Sequence, residues 1–132
     1  MTNIPAPLTA RQKLIAIAFG AVLWLSGAIA IRLTGPLGAF EGGLAVASYT
    51  VIIPLTWGFI AVGRALIGLA PGQLLRGVTV IALTAMILDA LALRLAPALY
   101  GDQVEHHFRG AAYLLWGFAI AFLLALAMER ER

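Results

Sequence analysis

The stretch ILDALALRL at 87–95 places a carboxylate, Asp89, among Leu, Ile and Ala. If the run around it crosses a membrane, the chain has four spans; if the charge interrupts it, the chain has three. The run extends over about 74–96 and holds Arg76 near its start and Asp89 and Arg94 near its end. Three other runs, 14–31, 42–63 and 110–128, carry no charge at all. Each is close to the ~20 residues that a helix needs to cross hydrocarbon. Between the four runs lie TGPLGAFEGG (34–43), LAPGQ (69–73) and PALYGDQVEHH (97–107), all marked by Gly and Pro as turns are. The reading is an all-α membrane protein of four transmembrane helices, with 87–95 inside the third.

Composition agrees. Of the 132 residues, 62% are hydrophobic and 11% charged, far from the soluble norm. The net charge of +3 is spread over nine basic residues that mostly flank apolar runs, as membrane anchors do. That scatter argues against nucleic-acid binding, which gathers its cations on one face. The chain has no cysteine, so disulfides, thiol redox chemistry and thiolate metal sites are excluded. The first apolar run exceeds the usual ~7–15 residues of a signal-peptide core and is read as an uncleaved helix.

Basic residues set the expected orientation. Arg11, Lys13, Arg64, Arg76, Arg130 and Arg132 fall on one side with Glu129 and Glu131. Arg32, Arg94 and Arg109 fall on the other with Glu41, Asp89, Asp102 and Glu105. The first side is expected to be cytoplasmic, with both termini.

Two echoes suggest that one helical hairpin is used twice. AIAIRL (28–33) resembles ALALRL (90–95), and LTWGF (55–59) resembles LLWGF (114–118), in the same order and at equivalent depths. The repeats would run over about 11–68 and 74–128 within one domain, in parallel about an axis along the membrane normal. The first echo aligns Asp89 with Gly27. On the third helix Ala82, Ala85, Asp89, Ala92 and Ala96 share one face by their three- and four-residue spacing. The matching face of the first is Gly20, Leu23, Gly27, Ala30 and Thr34. Small residues let backbones approach in lipid, so these faces are expected to cross closely, with Asp89 turned into protein opposite Gly27.

Asp89 lies about 10 Å inside the nearer boundary at ~1.5 Å per residue. An ionisable group there is either a proton- or ligand-binding site or a hydrogen-bonded lock between helices. Arg94 is five residues on and diverges around the helix, so Arg32, Arg109 and the histidines are the better candidate partners. In DQVEHHFR (102–109), Asp102 and Glu105 have capping-box spacing and Glu105 can pair with Arg109. Adjacent His106 and His107 diverge and lack metal-ligand spacing, so no metal or other cofactor is expected. An anionic head group or external pH is the functional alternative for them. Trp24, Trp57 and Trp116 sit within spans rather than at interfaces, where they fill the bundle, face lipid or line a pocket for a flat or isoprenoid molecule. Pro54 interrupts the second helix and should kink it or free a carbonyl.

WLSGAIAIRLTGP (24–36), IIPLTWGF (52–59), MILDALALRLAPALYG (86–101) and AAYLLWGFAIA (111–121) together resemble a family of small uncharacterised four-span bacterial membrane proteins. The resemblance implies a multi-pass protein of the bacterial cytoplasmic membrane and brings no activity with it. The first helix lacks the embedded glutamate of small multidrug exporters. The leading functional reading is a non-enzymatic protein that binds or moves a small or lipophilic ligand, proton-coupled through Asp89. The alternatives are an accessory subunit without a ligand, and a membrane-embedded enzyme acting on a lipid or isoprenoid with Asp89, His106 or His107 as acid and base. Four helices make a narrow bundle, so transport implies a homodimer.

Overall fold

Four helices occupy the expected spans. The computed structural model describes residues 6–129 and contains α1 (Ala10–Thr34), α2 (Gly42–Ile67), α3 (Leu74–Leu95) and α4 (Val104–Met128). Short 3-10 turns, Gly35–Leu37 and Pro97–Tyr100, follow α1 and α3. All four helices are long and apolar enough to cross a membrane. The shortest, α3, has 22 residues and is about 33 Å long, against roughly 30 Å of hydrocarbon. Large side chains such as Leu14, Val22, Val46, Leu83, Leu115 and Leu123 point outward. In water that surface would be prohibitive; in lipid it is the ordinary solvent-facing side.

Local chemistry sets the helix ends. Thr9 caps α1 through a reciprocal box: its hydroxyl accepts from Gln12 N (3.1 Å) and Gln12 Oε1 accepts from Thr9 N (2.9 Å). Gly68, at φ 73°, closes α2 in the left-handed conformation that glycine adopts without strain. The expected capping box at Asp102 and Glu105 does not form. Gln103 is the N-cap of α4 and makes no side-chain cap. With Gln103 at the cap, Asp102 lies one residue outside the helix and pairs with Arg32 (3.3 Å), while Glu105 faces Arg109 (4.0 Å). α2 continues through Pro54 as one helix.

Bonds between ends fix an up-down-up-down course. At the near end, where α1 begins, Gln12 Nε2 donates to Gly68 O (2.9 Å) and Gln73 Oε1 (3.0 Å), and Leu75 N donates to Glu129 Oε1 (3.2 Å). At the far end Arg32 meets Asp102 and Arg109 meets Glu41 (3.2 Å). Gln73 is the hub of the near end and is only 4% exposed. Its Oε1 also accepts from Ala70 N, and its Nε2 donates to Ala6 O and Pro7 O. It is no exposed turn residue.

α1 packs most extensively on α3, and α2 on α4. The close approach of α1 and α3 lies at Gly20: a Cβ there would sit 2.7 Å from the Ile81 carbonyl oxygen and 2.9 Å from Thr84 Cβ. Gly27 corrects the sequence reading, for a Cβ there would meet nothing within 4 Å. Leu23 packs as expected, against the cluster of Ala16, Ile67 and Ile81, but further along the packed face of α1 runs through Trp24, Ala28 and Ile31, one position round from the expected Gly27 and Ala30. On α3, Ala82, Ala85, Asp89 and Ala92 are buried as one face, while Ala96 lies past the helix end and is exposed.

Candidate functional site

The far end answers what holds Asp89. After α3 the chain turns at Pro97 and folds back, burying Tyr100 completely against Ala28, Ile31 and Ala92, with Trp24, Phe40 and Leu114 around them. The Tyr100 hydroxyl donates to Asp89 Oδ1 (2.6 Å) and accepts from Trp24 Nε1 (3.0 Å). An indole N–H can only donate, so donation runs one way, from Trp24 to Tyr100 to Asp89. Burial pushes the Tyr100 phenol above its ordinary range, and its bond to Asp89 raises it further. It stays a donor.

Asp89 is 5% exposed and makes no ion pair among the described residues. Its second oxygen, Oδ2, is buried without a hydrogen-bond partner there. The geometry is compatible with either protonation state. A carboxylate accepts from Tyr100 at Oδ1, and an acid carrying its proton on Oδ2 keeps an acceptor there, though a weaker one.

The cations expected around Asp89 go elsewhere. Arg32 donates to the Ala98 carbonyl and to Asp102 and so clasps the Pro97–Tyr100 turn to the end of α1. Arg109 bridges Glu41 and Glu105. Arg94 is exposed, and its side chain makes no hydrogen bond or ion pair among the described residues. His107 Nε2 engages Gly101 O (2.7 Å), and His106 keeps a buried Nδ1 without a partner among the described residues. Arg32, Leu33, Pro36, Asp102, Gln103 and His106 line a pocket of about 260 Å³, which Asp89, Tyr100 and Trp24 do not border. The tryptophans part ways: Trp24 joins the site, Trp116 donates to Tyr49 O (2.9 Å) and ties α4 to α2, and Trp57 is 53% exposed.

Tyr100 is the residue that the sequence reading missed. A signal was available in the hairpin alignment, where the offset that pairs Asp89 with Gly27 also pairs Tyr100 with Gly38. At that offset the two stretches of sequence differ at both ends of one hydrogen bond.

The family model described as Family of unknown function (DUF5367) matches residues 37–132. The chain belongs to this family. The matched segment holds α2, α3 and α4, and with them Asp89 and Tyr100, while Trp24 lies outside it. No curated protein and no solved structure matches the chain.

Proposed function

We propose that this chain is a non-enzymatic multi-pass membrane protein that binds or moves a small or lipophilic ligand, with Asp89 as its proton-binding group. One observation carries the reading: among the described residues a carboxylate inside a span is held by a single phenol, and its other oxygen is buried without a partner. An ionised carboxylate deep in a span costs about 2.5–3.5 kcal/mol on insertion scales. One hydrogen bond in a membrane contributes about 0.6 and at most about 1.7 kcal/mol. The phenol does not offset the charge, and a proton on Oδ2 removes that charge without breaking the Tyr100 bond. A helix lock alone would be served as well by Asn. In this reading the Tyr100 turn closes the bundle over Asp89.

Two features support a repeated hairpin over 11–68 and 74–128: the sequence echoes, and the packing of α1 on α3 and α2 on α4, the very helices those echoes relate. The charge asymmetry and the family resemblance support a bacterial cytoplasmic membrane with both termini inside. Transport by so narrow a bundle calls for a second copy. The accessory-subunit reading draws on a different observation, that neither described pocket reaches Asp89. An enzyme would need Asp89 and a histidine over one pocket, whereas His106 lines the far-end pocket and His107 holds Gly101.

Infrared difference spectra of the reconstituted full chain, recorded from about pH 4 to about pH 9, test the proton site. The expected result is a buried carboxylic C=O band that grows on acidification and is missing from Asp89→Asn. Identical spectra for the two proteins would reduce Asp89 to a lock and favour the accessory subunit.

A further inference from the structure

Asp89 is sealed differently toward the two ends of the bundle. Toward the near end the α1–α3 seam closes on backbone: a Cβ at Gly20 would sit 2.7 Å from the Ile81 carbonyl oxygen, and Ala82 and Ala85 are buried between that contact and Asp89. Toward the far end α3 stops at Leu95, about 9 Å beyond Asp89. The cover there is the Pro97–Tyr100 turn, with the Tyr100 hydroxyl on the carboxyl. On the other side of this turn lies the far-end pocket, lined by Arg32, Gly101, Asp102 and His106, and Gly101 follows Tyr100 directly. A loop of four residues thus separates a polar pocket from a buried carboxyl.

The turn is bounded by two residues outside helical geometry, Ala96 (φ −143°, ψ 58°) and Gly101 (φ 147°). The positive φ of Gly101 is one that glycine adopts without strain. His107 on α4 holds Gly101 O and so anchors the base of the turn. Among the described residues, two side chains of α1 bond to the turn and its continuation, at different depths. Trp24 donates to the buried Tyr100 hydroxyl, and Arg32 donates to the Ala98 carbonyl and to Asp102. An arginine suits the outer tie, because its planar fork holds the carbonyl through one terminal nitrogen and the carboxylate through the other. Arg32 is 44% exposed and Asp102 81%, so this tie lies within reach of water, where ion pairs are weak. The packing of Tyr100 on Ala28, Ile31 and Ala92 keeps the closed arrangement dominant.

We infer that the Pro97–Tyr100 turn is a lid through which Asp89 communicates with the far face of the membrane alone, and that Arg32 is the positioning residue that latches it. The inference rests on the reading of Asp89 as a proton-binding group. Such a group inside a span needs a route to water; the lid supplies one, and the backbone contact at Gly20 denies the other. Opening would release the Ala98 carbonyl, Arg32 and the Tyr100 hydroxyl into the far-end pocket, where water can satisfy them.

Labelling of the reconstituted full chain at one fixed pH with a small water-soluble carbodiimide and an amine nucleophile, read residue by residue by peptide mass spectrometry, tests the lid. Asp89 reacts when the turn opens, so its rate tracks the open population. Arg32→Gln should speed the labelling of Asp89 about tenfold, which corresponds to a latch of about 1.4 kcal/mol. Arg32→Lys keeps the charge and a donor and should stay within about twofold of wild type. Arg109→Gln, which breaks the other far-end clasp, and Gln12→Ala, which loosens the near end, should leave the rate unchanged. Should Arg32→Gln fail to fold, Asp102→Asn takes its place, with an expected acceleration of about threefold. A wild-type rate in the latch variant, no labelling of Asp89 in any protein, or equal acceleration by Arg109→Gln or Gln12→Ala would each overturn the inference. The infrared titration judges the proton site separately, since labelling reports access to the carboxyl and not its titration.

Discussion

Tyr100→Phe removes one oxygen atom and, with it, both hydrogen bonds of the far-end site. Asp89 Oδ1 loses its 2.6 Å donor and Trp24 Nε1 its 3.0 Å acceptor. No other described side chain hydrogen-bonds to either group, and Tyr100 is wholly buried and Asp89 nearly so. A hydrogen bond in a membrane contributes about 0.6 kcal/mol on average and at most about 1.7. Leaving a buried acceptor orphaned adds about 1–3 kcal/mol, and the ring itself is kept, so no cavity forms. The expected loss is about 2–4 kcal/mol. Asp89→Leu removes the acceptor instead, and the two changes are coupled. Once Asp89 is Leu, deleting the phenol should cost at least about 1 kcal/mol less than it does in wild type. Reversible unfolding in mixed micelles, followed by far-UV circular dichroism across the four proteins of the cycle, measures both quantities. A Tyr100→Phe protein within about 0.5 kcal/mol of wild type, or strict additivity with Asp89→Leu, would refute the claim that this phenol satisfies the carboxylate.

Three further expectations rest on other parts of the bundle. Gly20→Leu should abolish assembly, since even a Cβ there would press on the Ile81 carbonyl at 2.7 Å, while Gly27→Leu should be nearly silent; membrane abundance of the two variants checks this, and the opposite ranking would displace the α1–α3 crossing. Gln73→Leu should cost about 3 kcal/mol in the same unfolding assay by stranding Ala70 N, the Ala6 and Pro7 carbonyls and one Gln12 contact; a change under about 1 kcal/mol would mean that the near end relaxes around its loss. Because the chain has no native cysteine, single Pro71→Cys and Gln103→Cys substitutions, both at exposed turn positions, should react with an impermeant maleimide from opposite faces of the membrane. Labelling of Pro71→Cys, rather than Gln103→Cys, in intact cells would reverse the proposed orientation.

The four spans were legible in the sequence because crossing a membrane is a one-dimensional demand. About 20 apolar residues in a row suffice whatever they touch, and Asp89 with Arg94 did not hide the third run. The start of α4 was harder to place. Hydropathy puts it near Gly110, but the helix begins at Val104, since backbone hydrogen bonding tolerates the charged VEHHFR turns above the apolar stretch. Faces were legible only where chemistry broke the uniformity. The small residues around Asp89 mark the buried side of α3, and the structure buries Ala82, Ala85 and Ala92 beside it. On α1 nearly every residue is apolar, so steps of three and of four fit equally well and the packed face was placed one position off after Leu23. In lipid both the core side and the outer side of a helix are apolar, and periodicity loses most of its power. The partner of Asp89 was decided by tertiary structure alone. Long-range charge pairing pointed to Arg32, but Arg32 finds Asp102 and the Ala98 carbonyl at the rim, where water screens and solvates it. The buried oxygen is reached instead by a tyrosine from a loop, which takes that position only when α1, α3 and the Pro97–Tyr100 turn are already assembled around it.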